Sequence, residues 1–160
     1  MSKQLLSINL NLPVIELNSN LDSVIYSKLK SKVEGLCFEN GYILKDSINI
    51  INRDLGKLST INDKSFINFR IKYNADIILP SKGDILDDFY IYKKNKMGLI
   101  AYFKYKDYNE NNSPINAIIP NEFIDNIDDY SINDKIKIKI EGVRIKFRSK
   151  NIQVIARIVN

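Results

Sequence analysis

Residues 135–157, KIKIKIEGVRIKFRSKNIQVIAR, alternate cations with apolar residues over most of their length. Period two is the spacing of a β-strand, whose successive side chains point to opposite faces. One face can then be buried while the other stays charged, so the stretch reads as a basic β-ribbon rather than a basic tail. It holds eight Lys/Arg against one Glu, a local charge of +7, whereas the whole chain carries +5. A cationic sheet of this kind is a candidate surface for a polyanion. Abundant Ile and Asn, with Lys favoured over Arg, point to an A+T-rich coding sequence, which accounts for part of the Ile–Lys repetition.

At 160 residues and 44% apolar content the chain can bury a real core, as one domain or as two small ones. No apolar run approaches the roughly 20 residues of a membrane span. The N-terminus, MSKQLLSINLNLPVIEL, interleaves polar residues where a signal peptide would be continuously apolar, so a cytoplasmic or nuclear protein is expected. Cys37 is the single cysteine, which excludes an internal disulfide and reads as a small buried hydrophobe.

The pattern predicts a strand over 4–12 ended by Pro13, then a helix over 21–31 capped by Ser19 or Asn20. Leu21, Val24, Ile25, Lys28 and Leu29 form its stripe, with Lys28 covering apolar surface by its stem. Strands are predicted over 32–38 and 42–51, joined by a turn at Asn40-Gly41. A polar loop then spans 52–65 around Gly56, and a long strand covers 66–79. Pro80-Ser81-Lys82-Gly83 interrupts the β pattern and marks a domain boundary, giving domains 1–80 and 81–160. The first is a small α+β unit, an antiparallel sheet with one helix. The second reads as five strands over 84–93, 97–106, 115–119, 135–147 and 152–159, with a bend at Gly142, an exposed loop over 108–113 and a helical turn at Pro120–Phe123. Five strands with a helical element between the third and fourth match a Greek-key barrel of the OB type.

Signals for catalysis are absent. There is no histidine for acid–base work near neutral pH, too few His and Cys for zinc, and no glycine-rich phosphate loop. Asp84, Asp87 and Asp88 read as solvated acids at a barrel rim. No catalytic residue, metal or cofactor is therefore expected. Nucleic-acid binding by such a barrel needs cations for phosphates and exposed rings for bases. Lys93, Lys94, Lys96 and Lys104 provide the cations, and Tyr90, Tyr92 and Tyr102 the rings, with Tyr105 and Lys106 beside them. Alternation puts Tyr90, Tyr92 and Lys94 on one face, opposite Phe89 and Ile91. In the ribbon, Ile136, Ile138 and Ile140 face the core, and Arg144, Lys146 and Arg148 continue the cationic series beside Val143, Ile145 and Phe147.

Three segments carry a family resemblance. KVEGLCFENGYIL (32–44) resembles a Val-Glu-Gly…Gly-Tyr-Ile-Leu stretch of the stalk subunit seven of RNA polymerase II, a family with archaeal counterparts. FRIKYNADIILPSKGDILD (69–87) resembles that family's crossing between domains, with Lys72-Tyr73, Ala75, Pro80, Lys82-Gly83 and Asp87 in matching order. IKIKIEG (136–142) is similar to its late Ile-Arg-Val-Lys-Ile-Glu-Gly strand. Together they span nearly the whole chain. The resemblance implies a tip domain that wedges on the polymerase core near the clamp, and an S1-type OB barrel near the RNA exit path. It implies the large polymerase subunits as partners, a second stalk subunit beside them, and weak, non-specific contact with nascent RNA. The loop over 52–65 is similar to the family's core-docking tip, which makes Arg53, Leu55, Gly56, Lys57 and Leu58 the docking candidates.

The chain departs from S1 domains that bind RNA well. Met97-Gly98-Leu99-Ile100 stands where a Phe-Gly-x-Phe turn is typical, and Ile119 stands near the place of a third-strand His. RNA contact would then rest on the tyrosines and the ribbon. The compact length and A+T-rich character fit a polymerase of a large DNA virus or of an A+T-rich microbial eukaryote. That implies nucleus or cytoplasm of a eukaryotic cell and, for a virus, host cytoplasm and virion. The competing reading is a free-standing S1/OB RNA-binding protein in translation or RNA decay, which explains the barrel and leaves the N-terminal domain unexplained.

Overall fold

Leu10 and Leu12 are buried along the first strand, as their period-two spacing requires. The computed structural model describes residues 2–17 and 20–159. The strand β1 (Ser2–Pro13) pairs antiparallel with a later strand, and α1 (Leu21–Val33) follows it. Ser19, one of the two cap candidates, lies outside the described residues; Asn20 occupies the N-cap position without a side-chain capping bond. Ile25, Leu29 and Val33 form the buried stripe of α1, and Lys28 pairs with Glu16 at 2.8 Å. The helix runs two residues past the expected end, so Lys32 and Val33 are helical rather than extended. Val33 continues the i, i+4 spacing of Ile25 and Leu29, which explains the extension.

Two short strands, β2 (Cys37–Phe38) and β3 (Gly41–Ile43), pair as a hairpin with Phe38 opposite Gly41. The extended run expected over 42–51 is broken after Ile43. Asp46 takes φ 58 there, its amide donates to Glu34 Oε1, and Ser47 Oγ donates to the Leu44 carbonyl at 2.7 Å. Next come β4 (Asn49–Arg53), β5 (Lys57–Ile61) and β6 (Lys64–Ile78). The loop expected over 52–65 is mostly a hairpin. Asn62 and Asp63 both adopt positive φ, 53 and 63, as a two-residue turn of the primed type requires. All of β5 is exposed, so its hydrogen bonds to β6 define it and burial does not. On its other edge β6 pairs with β1, and Phe69, Ile71, Tyr73, Ala75 and Ile77 alternate into the core.

The second group of strands is β7 (Ile85–Asn95), β8 (Gly98–Phe103), β9 (Ile115–Pro120), β10 (Lys135–Arg144) and β11 (Ile152–Val159). They close in the order β10-β11-β9-β8-β7, with β9 and β11 parallel and every other neighbour antiparallel. A three-strand meander whose third strand meets the fifth in parallel is the OB-type Greek key. Ile136, Ile138 and Ile140 are buried while Lys135, Lys137 and Lys139 are exposed, as alternation demands. The loop over 108–113 is exposed only in its middle. Tyr108 is buried, and the Ser113 hydroxyl shares its one proton between the Phe103 and Ile115 carbonyls, 2.8 and 2.9 Å from Oγ.

The chain thus comprises two compact units, Met1–Glu34 with Ile43–Ile77, and Gly35–Tyr42 with Ile78–Asn160. An α/β unit with one helix is followed by a closed five-stranded barrel, and the hairpin segment 35–42 groups with the barrel. Among the described residues no helix is long and apolar enough to cross a membrane.

Candidate nucleic-acid interface

OB barrels bind oligonucleotides on the face of their second and third strands, flanked by the loops between strands one and two and between four and five. Here those parts are the outer face of β8 and β9, the turn Lys96-Met97, and the loop 145–151. Register shows what shares this face. Tyr90 pairs with Tyr102, Tyr102 with Asn116, Asn116 with Gln153, and Gln153 with Arg144. These five form one lateral row, and three strand spacings separate Tyr102 from Arg144, about 14 Å along the curved sheet. The adjacent row carries Ile100, Ile118 and Ile155.

A β-bulge corrects the expected grouping at β7. Ile91 opposes Ala101 and Lys93 opposes Ile100, so Tyr92 and Lys93 together face one partner residue. Lys93 therefore joins the tyrosine face in place of Lys94. Lys94 opposes buried Leu99, and its Nζ donates to the Tyr130 carbonyl at 2.8 Å. Tyr90 and Tyr92 both pack on Tyr102, with ring centroids 6.1 and 5.9 Å apart. Tyr102 is mostly buried beneath them, which makes it a support for the half-buried outer rings. Burial, helped by the charge of Glu110, pushes the Tyr92 phenol above its ordinary pKa. Lys93 Nζ lies 5.9 Å from the Tyr92 ring centroid. Lys96 and Lys104 are exposed at opposite ends of β8. Tyr105 is stacked between Phe103 and Tyr108, away from the tyrosine row.

Ile119 is buried in the barrel and does not occupy the binding face; Asn116 and Ile118 are the outward residues of β9. The alternation of β9 decides this, because Ile115, Ala117 and Ile119 all point inward.

The ribbon is less cationic than its composition. Lys135 pairs with Asp88 at 3.1 Å, and the Asp88 hydrogen bond and charge hold its ammonium above the usual pKa. Arg157 pairs with Glu141 at 2.6 Å and covers the Phe123 ring. Arg144, Lys146 and Arg148 make no ion pair among the described residues. The strand expected to reach Phe147 stops at Arg144. Arg148 adopts φ 63, its amide donates to the Cys37 carbonyl at 2.7 Å, and the Cys37 amide donates to the Ser149 carbonyl at 2.8 Å. The loop is thereby stitched to β2, and Phe147, expected beside the core residues, is 73% exposed. The alternation continues through Phe147 in the sequence, so hydropathy carries no signal that the strand ends at Arg144.

The docking candidates of the first unit separate into two kinds. Arg53 is engaged internally, with Nε 3.0 Å from Asp22 and its guanidinium over the Phe69 ring. Gly56 has φ 87, and a Cβ there would meet Ile67 and Phe69 carbons at 2.6 and 2.7 Å. Leu55, Lys57 and Leu58 face solvent, Leu55 at 96% exposure and Leu58 at 67%. Among the described residues no group of His, Cys, Asp and Glu is placed to hold a metal ion. Asp84 instead accepts the Ser81 amide at 2.8 Å.

No family model matches the chain. It is similar to the DNA-directed RNA polymerase II subunit rpb7 of Schizosaccharomyces pombe, at 28% identity over 153 residues. The alignment covers 88% of this chain and 81% of that protein, so it runs through both units and supports a distant, family-level relation.

Proposed function

We propose that this chain is a non-catalytic, stalk-type subunit of a DNA-directed RNA polymerase. Its first unit, within residues 1–80, docks on the large subunits through Leu55, Lys57 and Leu58. Its S1-type barrel, within 81–160, offers Tyr90, Tyr92, Lys93, Lys96, Lys104, Arg144, Lys146 and Arg148 to emerging RNA. The observation that carries the reading is a similarity to a polymerase subunit that extends over both units, supported by a barrel register that puts Tyr90, Lys93, Tyr102 and Arg144 on one outer face. A free-standing OB protein would need only the second of these. A second stalk subunit is an additional expected partner. The chain then resides where its polymerase works, in nucleus or cytoplasm, and in the virion if the enzyme is viral.

Copurification tests this reading. Tagged chain should recover the large polymerase subunits in stoichiometric amount, whereas recovery as a free, RNA-bound monomer would favour the free-standing alternative. The role of the ribbon is measured separately by salt dependence. Replacing Arg144, Lys146 and Arg148 with Ser removes three phosphate contacts, each worth about 0.7 in the log–log salt slope for a single strand. The slope should fall by about 2 in RNA-binding titrations at several ionic strengths, and an unchanged slope would remove these residues from the RNA path.

A further inference from the structure

We infer that Phe147 is a stacking ring for an unpaired base of single-stranded RNA, on a different loop from the tyrosine cluster. The inference rests on the nucleic-acid reading of the barrel and adds a site within it. Phe147 leaves 73% of its surface in water and buries little of its ring in the fold, yet its loop is firmly held. Two backbone hydrogen bonds tie residues 148 and 149 to Cys37, and the Ser149 amide and hydroxyl bond the Lys146 and Asn151 carbonyls at 3.1 and 2.8 Å. The Phe38 ring meets Phe147 at 5.4 Å and 87°. An edge contact of that geometry steadies the ring and leaves at least one of its faces open. The strand ends at Arg144, three residues before Phe147, so the period-two alternation that buries Ile136, Ile138 and Ile140 no longer applies to this ring. A ring ordered before binding loses little entropy when a base settles on it.

Charge decides what covers the open face. Between Gly142 and Val159 there is no Asp or Glu, and Arg144, Lys146, Arg148 and Lys150 surround Phe147 in the chain. None of these four makes an ion pair among the described residues. An apolar ring within acid-free cationic sequence suits a ligand that offers a flat π-face and anionic groups together. A single-stranded nucleic acid does so in every nucleotide, because the base stacks while its phosphates meet the cations. A protein partner would need an apolar pocket inside an acidic rim.

The test is fluorescence anisotropy with the full chain, a short unstructured RNA and an abasic strand of equal length. Phe147→Leu should weaken binding to the base-bearing RNA about 5- to 150-fold, the value of one stacked base. It should leave abasic binding and the salt slope unchanged, and Phe147→Tyr should retain affinity. Circular dichroism checks that the variants fold. If Phe147→Leu binds RNA like the unaltered chain while Tyr90→Leu weakens it, the Phe147 site is wrong and the barrel reading survives. If the unaltered chain binds no oligonucleotide, both fail. If Phe147→Leu loses a copurifying protein with RNA affinity intact, the ring belongs to a protein contact and the inference is overturned.

Discussion

Gly98→Ala is expected to unfold the barrel or bring it close to unfolding. Gly98 begins β8 at φ 145, a conformation that L side chains rarely adopt, and an added Cβ would overlap the Ile119 carbonyl oxygen. That oxygen belongs to the backbone of the neighbouring strand, with Gly98 opposite Pro120 and Leu99 opposite Ile119, so it cannot swing aside as a side chain could. Relief requires β8 and β9 to part at the place where the meander turns, close to buried Leu99 and Ile119. Backbone strain and the steric shift together should cost about 4 kcal/mol or more, a large share of a small domain's stability. Gly142→Ala is the matched control. Its φ is not positive and nothing lies within 4 Å of an added Cβ, so its effect should stay within about 1 kcal/mol and can be stabilising. Urea denaturation followed by circular dichroism compares them, and similar midpoints for the two variants would show that the close approach at Gly98 is not a constraint.

Leu55→Asp with Leu58→Asp should reduce association with the polymerase core about 100-fold or more without unfolding the first unit. Both leucines are solvent-exposed in the free chain, and neighbouring β5 carries no buried residue, so little native packing is lost. If they fill pockets on the core, truncating them and burying a carboxylate in their place costs a few kcal/mol at such anchors. Gly56 is the wrong residue to alter, since any side chain there collides with Ile67 and Phe69 and would confuse docking with folding. Arg53 is equally unsuitable because it already pairs with Asp22 and covers Phe69. Pull-down of the core by the double variant, paired with its unfolding midpoint, reads the two effects apart. Undiminished pull-down at an unchanged midpoint would remove this tip from the interface.

These two experiments fall where sequence and structure differ most in what they reveal. The inward isoleucines of β10, the long β6 and the amphipathic α1 were legible because burial imposes a period, and period is what a sequence displays. β5 escaped notice because it is exposed on every residue and exists through hydrogen bonds to β6, which leave no mark in hydropathy. The tyrosine face was legible as a set of residue types. Its membership was not, because one extra residue at the Tyr92 bulge exchanges Lys94 for Lys93. The outward place of Ile118 and the inward place of Ile119 likewise depend on register with β8 and β11.

Residue pattern was enough to establish that the C-terminal ribbon would bury isoleucines and expose cations, and that a five-stranded barrel would follow a small α/β unit. Residue inventory was enough to leave histidine acid–base chemistry and zinc ligation without the side chains they use. Packing in three dimensions was needed to show that Lys135 and Arg157 are already neutralised by Asp88 and Glu141, that the ribbon stops at Arg144, and that Phe147 stands in water beside Arg148. Each of these depends on a partner from elsewhere in the chain, such as Cys37 bonded to the distant loop at Arg148 and Ser149. A period of two specifies which way a side chain points along a strand; where the strand ends and what meets its charges is set by the segments that pack against it.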